Sequence, residues 1–218
     1  YDPGLHLFLD DDEVQDHPGF IRKVQHPQRL QDPVLEPDRP WEGESAEVGG
    51  SGLHDDEEGI FKMWYRTFDG SPRCYATSKD GFNWEKPNLG LYEHNGTRDN
   101  NIFLPGEHAS EQFDGAVTNW DGHTIVRDED EEDPQRRYKM IAHWETSHVW
   151  DNRVHKLDRP EEDMERFWAH RAKYITYSPD GLHWKQPLER FKGCEGGDRM
   201  ILMRDHRNRR WVLFDRPH

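Results

Sequence analysis

Acidic residues stand where strand-like runs begin. Glu42, Glu44 and Glu47 precede Val48-Gly-Gly-Ser-Gly-Leu-His54, Asp114 sits inside Phe113-Asp-Gly-Ala-Val-Thr-Asn-Trp120, and Asp198 precedes Arg199-Met-Ile-Leu-Met-Arg204. Carboxylates gathered at one opening can divide the roles of general acid and general base. Asp114 lies between Phe113 and Gly115, a setting that partly desolvates a carboxylate and raises its pKa. The alternative for every one of these acids is a solvated turn, and with 44 Asp and Glu in the chain it applies throughout. The same alternative covers Asp10 and Asp12, which follow the apolar run Leu5-His-Leu-Phe-Leu9.

Three further positions recur. Arg66, His143 and Arg216 each fall five residues after an aromatic, namely Phe61, Tyr138 and Trp211. A ring of such groups can bind hydroxyls or a carboxylate; ordinary pairing with neighbouring acids is the competing reading. His143-Trp144-Glu145 and His148-Val-Trp150 form a polar and aromatic cluster fit for the rim of a binding site. Their histidine spacing is not a ligand motif, so no metal is expected. The runs Asp55–Glu58 and Asp128–Asp133 lack the spacing of a calcium loop and read as solvated hairpin turns. No Gly-rich phosphate loop and no Gly-x-Ser-x-Gly elbow occurs, and no cofactor is expected.

The elements that must position these residues are repeated. Cys74-Tyr-Ala-Thr-Ser-Lys-Asp-Gly-Phe-Asn-Trp-Glu-Lys-Pro87 returns 100 positions later as Tyr174-Ile-Thr-Tyr-Ser-Pro-Asp-Gly-Leu-His-Trp-Lys-Gln-Pro187, so both copies read Ser-x-Asp-Gly-x-x-Trp-x-x-Pro. An aromatic and β-branched run, an Asp-Gly turn that tolerates positive φ and a returning Trp make a hairpin. The Trp is expected to lie over the turn as a small satellite core. Ahead of these hairpins stand Gly59-Ile-Phe-Lys-Met-Trp-Tyr-Arg66 and Arg137-Tyr-Lys-Met-Ile-Ala-His143, with a third such run in Arg210-Trp-Val-Leu-Phe-Asp-Arg216. Repeated all-β units point to a propeller or a similar radial array, in which first strands line a shared axis.

This gives an all-β chain in four parts. Residues 1–47 are a Pro-rich segment packing on or closing the array, and 48–112 are a first blade. Residues 113–196 are a second, with Phe113–Trp120 as its first strand and an insertion at 145–170 that carries a helix start at Pro160. Residues 197–218 open a third blade without its outer strands, so the chain is expected to be the N-terminal piece of a longer one.

Only 32% of residues are apolar against 33% charged, which alone leans towards disorder; nine Trp, ten Phe and seven Tyr supply the area for an aromatic core. The formal charge of −15 disfavours nucleic acid and anionic membrane as partners. No run approaches a membrane span of roughly 20 apolar residues. Cys74 and Cys194 make no framework, and Cys74, within a strand, reads as a buried free thiol.

The two hairpins, with Pro40-Trp-Glu42, Phe61-Lys-Met-Trp-Tyr65 and Asn100-Asn-Ile102, resemble bacterial proteins of the glycosyl hydrolase family 32 and 43 type, which are five-bladed β-propellers. The hairpin is also similar to the Asp box of sialidases, one residue shorter between Asp and Trp. The resemblance implies that the chain covers about two and a half blades of such a fold. It further implies a carbohydrate site at the mouth of the central channel, where inner-strand acids protonate the leaving oxygen of a glycosidic bond and attack its opposite face. Within that reaction the strand-start acids Asp114, Glu42, Glu47 and Asp198 are the candidate catalytic positions, with Arg66, His143, Trp144, Glu145 and Arg216 as candidates for holding substrate. Cys194-Glu195 reverses the Glu-Cys order of the family, so these positions rest on strand placement rather than on matched motifs. A non-catalytic carbohydrate-binding propeller is the alternative. The expected partners are a carbohydrate and the rest of the polypeptide, and the resemblance favours a secreted or periplasmic location.

Overall fold

The computed structural model describes residues 19, 21, 23–24, 26–67, 72–105, 117–146, 172–185, 189–190 and 200–215, with backbone alone at 49–50, 117–122, 143–146, 172 and 189–190. The chain divides into two compact units, Tyr1–Pro33 and Val34–His218. The described residues of the first contain no helix or strand. The inserted segment 145–170, but for the strand end at 145–146, lies outside the described residues, as do Asp10, Asp12 and Cys194.

The second unit is built of antiparallel sheets. In the first sheet β1 (Ala46–Asp55), β2 (Ile60–Thr67), β3 (Arg73–Ser78) and β4 (Trp84–Glu85) pair in chain order, and β5 (Ile102–Leu104) returns to pair with β3. The second sheet repeats the order with β6 (Val117–Arg127), β7 (Tyr138–Thr146), β8 (Ala172–Ser178) and β9 (Glu189–Arg190). A third sheet pairs β10 (Met200–Asp205) with β11 (Arg210–Asp215). The first strand of the second sheet lies further along the chain than 113–120. Gly122 does not end it: the register shifts between Trp120 and Gly122 and the β-branched run Thr124-Ile-Val126 carries the strand on to Arg127.

Aromatic and β-branched residues hold β2 between two apolar layers, so it is buried on both faces. One face sets Met63 and Tyr65 with Cys74, Ala76 and Ile102, under Leu35 and Trp41. The other turns Trp64, with Tyr75, towards Ile125, Tyr138, Met140 and Trp184 of the second sheet. Removing an indole such as that of Trp64 from water buries roughly 150–250 Å2, worth about 4–6 kcal/mol as an upper bound. The Cys74 thiol is free and buried, and burial pushes its pKa up.

Both Ser-x-Asp-Gly-x-x-Trp turns close in the same way. Ser78 Oγ accepts the N–H groups of Asp80 and Gly81 at 3.2 and 2.9 Å, while Asp80 Oδ1 accepts those of Phe82 and Asn83 at 2.8 and 2.7 Å. Ser178 and Asp180 repeat the four bonds at 3.2, 2.9, 2.9 and 2.8 Å. Gly81 and Gly181 take φ of +78° and +79°, where a side chain is strained. The tryptophans differ. Trp84 Nε1 donates to the Gly81 carbonyl at 3.1 Å, over its own turn. At the second turn the Gly181 carbonyl is taken by Trp64 of the first sheet, at 2.7 Å, and Trp184 Nε1 is buried without a partner. The second hairpin is thus a joint between sheets.

The sheets are related by a repeating step. The first strands adjoin in chain order, β1 against β6 and β6 against β10. Ser51 Oγ accepts the N–H of Ile125 at 2.7 Å, and Thr124 Oγ1, at the matching place in the second sheet, accepts that of Leu202 at 3.2 Å. Ile141, which matches Trp64, packs with Val126 and Ile175 against Met200, Leu202, Trp211 and Leu213.

Candidate functional site

Antiparallel pairing puts the starts of β1, β3, β6, β8 and β10 at the same end of their sheets as the ends of β2, β7 and β11. Contacts between sheets give this end a common direction. At the opposite, hairpin end Asp55 meets Arg127 at 2.6 Å, and Asp130 lies 3.7 and 3.6 Å from Arg204 and His206. At the strand-start end Lys173 of β8 donates to Asp215 of β11 at 2.6 Å. Three sheets therefore present corresponding edges to one side of the unit.

The residues expected to do chemistry map onto that side unevenly. Glu47 and Arg66 face each other across β1 and β2 and form an ion pair at 2.7 Å. The pairing alternative foreseen for Arg66 is what this geometry contains. His143, Trp144 and Glu145 occupy the last residues of β7, opposite Gly122, Trp120 and Asn119. Asp114, Asp198 and Arg216 lie outside the described residues, three before β6, two before β10 and one after β11 in the sequence. Glu44 is exposed.

Glu42 is elsewhere and is differently employed. Its carboxylate is wholly buried and accepts the N–H groups of Asp38 and Arg39 at 2.8 and 2.9 Å and Lys86 Nζ at 2.8 Å on Oε2; the Tyr65 hydroxyl donates to Oε1 in a short hydrogen bond. Four donors occupy about the four lone-pair sites a carboxylate has. Asn101 Nδ2 donates to the Tyr65 hydroxyl and Trp41 Nε1 donates to Asn101 Oδ1, each at 2.8 Å. Pro40-Trp-Glu42, Phe61–Tyr65 and Asn100-Asn-Ile102, three separate stretches of sequence, meet in this one polar hub. It fastens the 34–42 loop to the first sheet.

The acidic turns also differ from expectation. Asp55 and Asp128, which open the two runs read as solvated, are buried. Asp55 Oδ2 accepts from Lys62 Nζ at 2.7 Å and from the Tyr138 hydroxyl at 3.2 Å; Lys139 Nζ sits 2.8 Å from Asp128 Oδ2 at the matching place. Burial alone would raise the Asp55 pKa, but the Lys62 hydrogen bond and the N–H of Glu58 carry it well below the usual carboxylate range. The other acids of the runs remain at the surface, as composition implied. In the third sheet Val212 replaces the lysine, and Asp205 turns instead to Asn208 and Arg210, at 2.8 and 3.0 Å.

Three groups at the strand-start side escaped the sequence reading. Arg73 and Lys173 are both buried and stand at the same place in the two repeats, 100 positions apart, a signal that could have found them. His123 had no such marker. It is 2% exposed, edge-on to Phe103 at 5.8 Å, and neither ring nitrogen has a partner. Burial brings its pKa down to about 3, with Arg73 and then Arg66 adding to the shift. The neutral imidazole lies between sheets one and two near Arg73 and Arg66; of the cations on this side, Arg66 is paired with Glu47 and Lys173 with Asp215. Guanidinium and ammonium groups there are donors suited to hydroxyl or carboxylate oxygens. A depression of about 220 Å3 lies at the other end, lined by Ile60, Thr77, Ser78, Lys79, Asp80, Asn83 and Glu85, and none of the candidate residues among those described borders it.

These features define the class: an all-β unit of successive antiparallel sheets, the first two of which each carry an Asp-Gly turn after their third strand. Among solved structures the chain is similar to a fructofuranosidase from Schwanniomyces occidentalis complexed with fructosylnystose, at 13% identity and a TM-score of 0.43 over 82% of this chain. A β-fructofuranosidase from the same organism complexed with fructosyl-erythritol gives 12% identity and the same TM-score. In both cases the chain spans 30% of the length of the solved one. No protein-family profile and no curated protein sequence matches it.

Proposed function

We propose that this chain is the part of a five-bladed β-propeller that cleaves glycosidic bonds, with its carboxylates at the mouth where the first strands begin. The observation that supports the reading is the common direction of three sheets whose first strands adjoin, since the strands next to the candidate residues in the sequence then share one direction. Asp114 is the leading carboxylate, with Glu47 and Asp198 as the other candidates. Glu42, with its acceptor sites filled, serves as the anchor of the hub. Arg66, His143, Trp144, Glu145 and Arg216 hold the sugar, arginines by bonding hydroxyls and the aromatic ring by stacking on C–H faces. Protonation of the leaving oxygen by one carboxyl while another activates the attack is the reaction such a set performs.

One observation favours a second reading, a carbohydrate-binding unit without turnover. Glu47 is tied to Arg66 and Glu42 is sealed, so neither described acid is free to move a proton. A panel of oligosaccharides, assayed for released reducing ends and for binding, separates the two. Turnover that falls by at least roughly a hundredfold in Asp114→Asn, with binding retained, supports the hydrolase. Binding without turnover in the unsubstituted protein supports the second reading, and neither binding nor turnover across the panel refutes both.

A further inference from the structure

Between the fourth and fifth strands the chain reverses on two residues. His94 N donates to the Thr97 carbonyl at 2.8 Å and Thr97 N to the His94 carbonyl at 3.1 Å, with Asn95 and Gly96 between them at φ of +50° and +80°. Asn-Gly is the pair that suits so tight a turn, because both central residues take positive φ. Asn95, Gly96 and Thr97 are exposed, and a Cβ built on Gly96 would meet nothing within 4 Å. Of the eight asparagines in the chain, Asn95 alone is followed by glycine. The two Asp-Gly turns give the contrast. There the glycine N–H is engaged, Gly81 and Gly181 each donating to a serine Oγ at 2.9 Å, and the Asp carboxylate accepts two further N–H groups. Among the described residues neither the Gly96 N–H nor the Asn95 carboxamide has a hydrogen-bond partner.

We propose that Asn95 is a site of self-modification, with Gly96 supplying the attacking nitrogen and water as the only co-reactant. Hydroxide removes the Gly96 N–H proton, the nitrogen bonds to Asn95 Cγ, and the Cγ–Nδ2 bond breaks. Ammonia leaves with a proton taken from water, and a five-membered imide remains. Water then opens either C–N bond of the ring, giving aspartate or isoaspartate at position 95. Glycine permits the attack because no side chain shields its nitrogen. Isoaspartate routes the main chain through Cγ and adds one atom to a loop whose length fixes the pairing of His94 with Thr97. The Thr97 carbonyl also accepts Asn100 Nδ2 at 3.4 Å, and Asn101 belongs to the polar hub. The modification therefore adds a negative charge and loosens the turn that leads into the hub. It is independent of the carbohydrate reading.

The test incubates the folded, unsubstituted protein in mildly alkaline and mildly acidic buffer, then digests it in acid and weighs the peptides. The peptide carrying Asn95 is expected to gain about 1 Da, as an amide becomes an acid, and to separate into two products of that mass. The gain should be faster in the alkaline buffer, and at least roughly tenfold faster than in the peptides carrying Asn88 and Asn208, which precede larger residues. In Asn95→Gln, whose longer side chain would have to close a six-membered ring, the peptide should keep its mass. An unchanged mass at Asn95, or a rate no greater than at Asn88 and Asn208, overturns the proposal. A single aspartate product overturns it too, because direct hydrolysis of the side chain cannot form isoaspartate.

Discussion

Gly181→Ala tests the joint between the first two sheets at a single atom. A Cβ at Gly181 would stand 2.6 Å from Trp64 Cζ2 and 3.2 and 3.3 Å from the Tyr138 ring; at Gly81 it would meet only the Phe61 ring, at 3.8 Å or more. Both glycines have φ near +80°, so both substitutions carry the left-handed penalty of roughly 1–2 kcal/mol. Only Gly181→Ala adds overpacking, about 1–3 kcal/mol. The expected loss is roughly 1–2 kcal/mol for Gly81→Ala and about 2–5 kcal/mol for Gly181→Ala. Urea unfolding followed by tryptophan fluorescence reads the two midpoints, and the slope should stay that of the unsubstituted protein. In a Trp64→Phe background, which removes the colliding atom and its hydrogen bond to the Gly181 carbonyl, the excess cost of Gly181→Ala should largely vanish. Equal losses for the two alanines, or an excess unchanged in Trp64→Phe, would refute the joint.

Four other outcomes follow from the same contacts. His123 is depressed to about 3 in the fold against 6.5 in the unfolded chain, so the stability of its neutral form is complete above pH 6.5 and lost as pH falls from there towards 3. His123→Phe should remove about 1.4 kcal/mol per pH unit from the acid slope of stability over that window, and cost little at pH 7 because no hydrogen bond is broken. Glu42→Gln leaves buried Lys86 with only exposed Asp38 as a counter-charge and should cost about 3 kcal/mol in thermal or urea unfolding; lost turnover at unchanged stability would instead mark Glu42 as catalytic. Ser51→Ala strips the acceptor from the Ile125 N–H and should cost about 1–3 kcal/mol, with Thr124→Val giving a similar loss at the next step. Cys74, buried and with its thiol pKa raised, should resist alkylation in the folded protein and react only on unfolding, as mass spectrometry would register.

What the sequence disclosed was local. A Ser, an Asp and a Gly within four residues satisfy one another's backbone, so the hairpins at 78–84 and 178–184 could be read from their own letters. The strand runs were legible for the same reason, since aromatic and β-branched residues mark a pleated layer. Partnership across the fold was not. Nothing near Gly181 says that its carbonyl serves Trp64, 117 residues away, and nothing in an acidic run says that its first Asp goes inside with a lysine. Glu42 shows the limit most clearly. Its position before a strand made it a candidate acid, while its donors come from the adjacent loop, from 23 residues on and from 44 residues on. Arg66 and His143 could be picked out because they recur with their strands, but the burial of His123 depends on which sheet covers it.

The account stands on three sheets turning the same edge to one side, and a distance between spin labels at Glu47→Cys and Asp198→Cys, in a Cys194→Ser background, measures that most directly. Packed sheets lie about 10 Å apart, so two steps put the labels roughly 20 Å from each other. A label moved to the hairpin end, Asp56→Cys, should lie roughly 30 Å or more from the one at 198, since nine residues of strand span about 30 Å. A short distance for the first pair and a long one for the second is the expected result. The reverse order, or two equal distances, would contradict the shared direction and with it the mouth at which the carboxylates are placed.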